Sequence, residues 1–130
     1  MTPETTAFAF TVLLGFVHVL VQSVLQTRLH GTDVLVGPRD DFRPADDAYL
    51  GRARRANDNF RESAPWALGL MIMVQVAGVT SGATAAGAWL YVVARVAYLP
   101  LYLFGVPWLR TLAWSVSLVG LAMLLVALFG

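Results

Sequence analysis

The stretch RARRANDNFRESAP, from Arg52 to Pro65, lies directly against the apolar segment Ala64 to Val79. That segment gives roughly 24 Å of helix at 1.5 Å per residue, short of a hydrocarbon core of about 30 Å. A helix that completes the span therefore draws Asn59, Phe60, Arg61 and Glu62 into the leaflet on the cytoplasmic side. Ionisable groups at that depth are costly. They face a protein interior, pair with one another, or hold a ligand.

The rest of the chain is built for a bilayer. Hydrophobic residues make up 58% of its 130 residues and charged residues 13%, about half the charged share of roughly 25% in soluble domains. This composition describes a polytopic membrane protein, and the length leaves room for one domain over 1–130. Nine basic residues against eight acidic give no support to nucleic-acid binding. Every basic residue is arginine, which fits either a biased genome or a use for the always-charged, bidentate guanidinium. With no cysteine there is neither a disulfide nor a thiolate metal site, and any thiol chemistry has to arrive with a ligand.

Four apolar segments predict an all-α bundle of four transmembrane helices, over about 4–27, 47–78, 83–104 and 108–129. The first is a spanning helix rather than a cleaved signal, because no basic region precedes it and no small-residue cleavage site follows. Arg28 to Ala48 reads as the one substantial loop, with Asp46 or Asp47 capping the second helix. Val79-Thr80-Ser81-Gly82 and Gly105-Val106-Pro107 read as turns. Arg28, Arg39, Arg43, Arg52, Arg54 and Arg55 cluster around the first connection and Arg110 beside the third. Positive-inside bias thus places both connections in the cytoplasm and both termini outside it.

Wound at 100° per residue, the polar run divides into two stripes. Arg52, Arg55, Asn59 and Glu62 share one sector, rich in donors with a single carboxylate, as if to receive an anion. Arg54, Asp58 and Arg61 share the other, where Asp58 can pair with its neighbours. On the third helix Tyr91, Arg95, Tyr98 and Tyr102 recur along one side. A hairpin about Thr80 and Ser81 sets Tyr98 at the level of Glu62 and Tyr102 at that of Asn59, with Arg95 one turn deeper. Two readings fit: a polar pocket lined by these residues, or a buried Arg95–Glu62 ion pair that fixes register while the tyrosines form an interfacial belt.

The pattern R-x-x-R-A-x-x-N-x-x-E-x-x-P, carried by Arg52, Arg55, Ala56, Asn59, Glu62 and Pro65, resembles the second-helix signature of the MAPEG family. These are the membrane-associated proteins in eicosanoid and glutathione metabolism, which include microsomal glutathione transferases and leukotriene synthase. ARVAYLPLYLFGVPWLRTLAW resembles the family's third and fourth helices, and the likeness is closest to its bacterial branch. The resemblance implies a multi-pass protein of the bacterial inner membrane, assembled as a homotrimer that binds glutathione as co-substrate between subunits near the cytoplasmic face. Arg52, Arg55, Asn59, Glu62, Arg95, Tyr98 and Tyr102 would then form the binding site, with Arg110 stabilising the thiolate. Arg110 equally suits a membrane-surface anchor. Ser63 departs from the pattern, standing where leukotriene synthase has a tyrosine.

The resemblance implies a transferase or peroxidase-like activity on lipophilic electrophiles, without a metal. The alternative is a non-catalytic scaffold or small-ligand-binding protein that keeps the fold. His18 can pair with Gln22 at i+4 or hydrogen-bond a neighbouring helix, and His30 reads as a loop histidine. Trp66, Trp89, Trp108 and Trp114 read as interfacial or packing residues. Gly69, Gly78 and Gly120 would permit close helix approach.

Overall fold

Short polar side chains and prolines start the long helices close to where the sequence places them. Thr2 caps α1 (Pro3–His30) by accepting from the Thr5 N–H, with Pro3 in the first turn where its missing donor costs nothing. Asp47 caps α3 (Ala48–Val76), accepting from the Leu50 N–H at 2.8 Å. Ser81 caps α4 (Gly82–Leu103) in a reciprocal capping box with Thr84. Pro107 opens α5 (Pro107–Phe129). The computed structural model describes all 130 residues, and apart from the connections they are helical.

Five helices form rather than the four predicted. The addition is α2 (Thr32–Val36), closed by the Gly37 N–H donating to the Asp33 carbonyl. Its five residues are too few for a hydrophobic period to show, and Gly31, Gly37 and Pro38 around them read as loop. Three helices, α1, α4 and α5, are long and apolar enough to cross a membrane, whereas α3 carries the polar run and does not meet that composition.

The ends of α3 and α4 are set by two glycines in the left-handed region. Gly78, at φ +70°, lets the Val79 N–H reach the Val74 carbonyl at 3.0 Å and its own N–H reach that of Gln75 at 3.1 Å. This double closure stops α3 at Val76, two residues before the predicted end. Gly105, also at φ +70°, repeats it with Val106 to Leu101 at 2.9 Å and Gly105 to Tyr102 at 3.1 Å. At the far end α1 runs on to His30, past the predicted 27, until Gly31 turns the chain at φ +80°.

Within the bundle α1 packs chiefly on α3 and α4 chiefly on α5, while α4 also touches both α1 and α3. Where α1 starts and α3 ends, Gln75 Nε2 donates to Thr5 Oγ1 at 2.7 Å and Thr84 Oγ1 donates to the buried Glu4 carboxylate at 2.6 Å. Ala7, Ala67, Met71, Val74, Ala88, Tyr91, Val92 and Leu124 fill the interior next to that end. Leu13, Phe16 and Leu20 on α1 and Leu112, Val119 and Val126 on α5 are all more than half exposed, as lipid-facing side chains are.

The α4–α5 crossing is the closest in the fold. A Cβ at Gly120 would lie 2.6 Å from the Gly87 carbonyl oxygen and 2.9 Å from the Tyr91 nitrogen, both backbone atoms. At Gly69 nothing lies within 4 Å. Gly120→Ala is therefore expected to destabilise the protein by about 1–3 kcal/mol, the usual cost of overpacking, and Gly69→Ala to leave it unchanged. Thermal unfolding in one detergent checks both; equal midpoints for the two variants would contradict the crossing.

Candidate functional site

The site is assembled on a ladder of aromatic rings along α4. Arg95 is 1% exposed, and its guanidinium lies 5.6 Å from the Tyr91 ring centroid and 5.2 Å from that of Tyr98. Tyr98 and Tyr102 meet with centroids 5.4 Å apart. Two further guanidiniums approach Tyr102: that of Arg110, from α5, at 4.5 Å, and that of Arg55, from α3, at 6.0 Å. Each such cation–ring contact contributes about 0.5–1 kcal/mol in water and about 2 when desolvated. The rings thus hold at membrane depth the cations that hydrocarbon would reject.

Asn59 joins α3 to this ladder. Arg95 Nη1 donates to Asn59 Oδ1 at 2.6 Å, so of the two readings the Arg95–Glu62 ion pair does not form, and Glu62 stays exposed on the outer surface of α3. Ser63 and Tyr91 share a hydrogen bond at 2.9 Å, and Tyr98 packs on Ala56. The expected register sets Tyr102 beside Asn59 and Arg95 beyond Glu62. In the structure Tyr102 receives Arg55 and Arg95 receives Asn59, a slip of about one to two turns. The slip follows from the early stop of α3 at Val76, and from the length of the arginine side chain, which reaches across to Asn59.

These contacts open onto a cavity of about 210 Å³ lined by Asn59, Tyr98, Tyr102, Arg110, Thr111 and Trp114. Four of the eight residues singled out in the sequence converge on its wall. Arg55 is exposed beside it, and Arg95 is buried behind Asn59. Arg52 is engaged elsewhere: its Nη1 donates to the Leu103 carbonyl at 3.1 Å, and a Cβ on Gly105 would lie 2.9 Å from its guanidinium carbon. There it neutralises the C-terminal end of α4, where unpaired carbonyls collect partial negative charge. Thr111 and Trp114 were missed. The i,i+4 spacing of Arg110 and Trp114 was the available signal, hidden because Trp114 also reads as an interfacial residue.

The histidines differ from expectation in part. His18 donates from Nδ1 to the Leu14 carbonyl of its own helix and stacks on Phe60, so it bonds neither Gln22 nor a neighbouring helix, and Gln22 accepts from Asn57 Nδ2 at 2.9 Å. His30 accepts from the Ala45 N–H at 2.9 Å and packs on Phe42, tying the first connection to the end of α1.

A helical bundle with three apolar membrane-length helices and an arginine–tyrosine site between α3, α4 and α5 is an integral membrane protein with a polar site. The MAPEG family model matches residues 6–130, nearly the whole chain, and the protein belongs to that family. Among curated proteins none matches it.

Replacing Asn59 by leucine would leave Nη1 of the buried Arg95 without its acceptor. A loss of about 1–3 kcal/mol in stability is expected, read as a lower unfolding midpoint in nanodiscs. An unchanged midpoint would show that Arg95 does not depend on Asn59.

Proposed function

We propose that the chain is a membrane-embedded, glutathione-dependent transferase or peroxidase-like protein acting on lipophilic electrophiles. The observation that supports this reading is the meeting of Arg55 and Arg110 on one tyrosine ring, at a cavity whose lining holds no carboxylate. Two guanidiniums at one point favour a polyanionic ligand. Glutathione brings two carboxylates, one ammonium and a thiol. Arg55 and Asn59 suit the carboxylates, Glu62 on the same side of α3 suits the ammonium, and the tyrosine hydroxyls add donors and acceptors.

On this reading Arg110 acts on sulfur. Its guanidinium stays protonated across the working pH range, so a thiol beside it loses its proton more readily and presents a thiolate. The thiolate then attacks the electrophilic atom of a lipid-dissolved substrate, whose leaving group departs or whose opened oxygen takes up a proton. In the peroxidase-like variant the thiolate attacks the terminal peroxide oxygen, the O–O bond breaks and the alkoxide leaves as alcohol after taking up a proton, and a second glutathione displaces water from the resulting sulfenic acid to form the disulfide.

A homotrimer suits both the cavity and the surface of α3. About 210 Å³ is smaller than the ~300–1,000 Å³ of ordinary ligand pockets, so one chain supplies part of the wall and a neighbour the rest. Arg55, Asp58, Arg61 and Glu62 are exposed in the single chain, and at membrane depth they need cover that only protein or water provides. In this arrangement α3 is the fourth span, turned toward the threefold axis. The glutathione site lies in the cytoplasmic half and both termini lie outside, in a bacterial inner membrane.

Arg55→Ala is expected to weaken glutathione binding about tenfold to a hundredfold, the loss of one charge-assisted contact, measured by calorimetry on folded protein. Unchanged affinity would remove Arg55 from the site. Arg110→Ala is expected to leave most of that affinity intact and raise the pKa of the bound thiol. Turnover should fall at neutral pH and partly recover in alkali, because the thiolate fraction is then restored by hydroxide rather than by the neighbouring charge. Arg110→Lys should be intermediate at best. Identical pH profiles with and without Arg110 would exclude it from the chemistry.

A further inference from the structure

His18 and Arg95 are the two buried polar side chains whose bonding the protein leaves incomplete. Each is 1% exposed. His18 Nδ1 lies 2.9 Å from the Leu14 carbonyl, and because a carbonyl only accepts, Nδ1 carries the proton and Nε2 presents a lone pair. That Nε2 has no protein partner, and neither do Nε and Nη2 of Arg95. Nε–H and one Nη2–H point the same way along one edge of the guanidinium plane, so they converge on a common acceptor. The two side chains occupy one level of the bundle. His18 stacks on Phe60 with ring centroids 4.5 Å apart, and Arg95 bonds the preceding residue Asn59.

We propose that His18 and Arg95 share a single buried water, which accepts from Arg95 Nε–H and Nη2–H and donates to His18 Nε2. The chemistry selects water over an anion. A carboxylate or a halide could take the Arg95 edge, but neither carries a proton for Nε2, so an anion fits only a histidine protonated on both nitrogens. Water supplies two acceptor sites and a donor, and the resulting three bonds are the usual complement of a buried water. Through this bridge α1 holds the guanidinium that holds Asn59, and Asn59 lines the cavity. His18 is accordingly a positioning residue for the site, acting from a helix that contributes no side chain to the cavity wall.

The test uses full-length protein in nanodiscs without glutathione, so its outcome is separate from that of the proposed activity. Nitrogen NMR of labelled histidine is expected to find His18 neutral, protonated on Nδ1, with Nε2 shifted as a hydrogen-bond acceptor and magnetisation passing between the ring and water. Unfolding midpoints of His18→Phe, which keeps the stack on Phe60, of Arg95→Gln, and of the double variant should be non-additive, the double falling little below the worse single. His18→Gln, which restores an acceptor, should recover most of the midpoint lost in His18→Phe. An Nε2 signal of a bare nitrogen would overturn the bridge, as would additive midpoint losses. Protonation of Nε2 at neutral pH with a chloride-dependent midpoint would overturn it in favour of an anion. Where a variant fails to fold, the NMR of the unaltered protein still decides.

Discussion

Arg95 keeps its charge at membrane depth with 1% of its surface exposed, and the arrangement of α3 and α4 follows from what that charge requires. Hydrocarbon cannot solvate a guanidinium, so partners must come from the protein. Two tyrosine faces and the Asn59 amide supply them. These partners fix the depth at which α3 passes α4, because no other acceptor on α3 meets the guanidinium. The same passage carries Arg55 to Tyr102, where Arg110 also arrives from α5. Accommodating one charge and gathering two others on one ring are thus a single packing solution.

The fold was legible in the sequence to the extent that it rests on local rules. Asp47, Ser81 and Pro107 announce helix starts, Gly78 and Gly105 allow their closures, and apolar runs mark α1, α4 and α5. The register between α3 and α4 was not legible. It depends on where a Schellman closure ends α3 and on how far an arginine reaches, and neither has a periodic signature. The site was legible as a set of residue types and misread in detail for that reason. Tyr98, Tyr102, Asn59 and Arg110 converge, whereas Arg52 serves the α4–α5 turn and Glu62 stays on the outer surface. The resemblance of the α3 signature was the strongest guide, and the match over residues 6–130 bears it out.

Within α3 the polar run divides its work between architecture and ligand. Arg52 and Asn57 bond α4 and α1 and hold the bundle together. Asp58, Arg61 and Glu62 bond nothing that would explain their cost in a membrane, Arg55 has only the Tyr102 ring, and all four face outward. On the proposed reading their partners are a peptide ligand and a neighbouring subunit. Helix α5 complements this: it sets off from the Gly105 turn that follows Tyr102, so Arg110 in its first turn lies over the Tyr102 ring.

On the proposed function these arginines receive glutathione and hold its sulfur as thiolate. The direct measurement is a titration of the unaltered protein in nanodiscs with glutathione at neutral pH, following calorimetric heat and thiolate absorbance together. Saturable binding accompanied by a matching rise in thiolate is expected. Binding with the thiol still protonated would contradict the role given to Arg110, and the absence of any saturable heat would contradict the site itself.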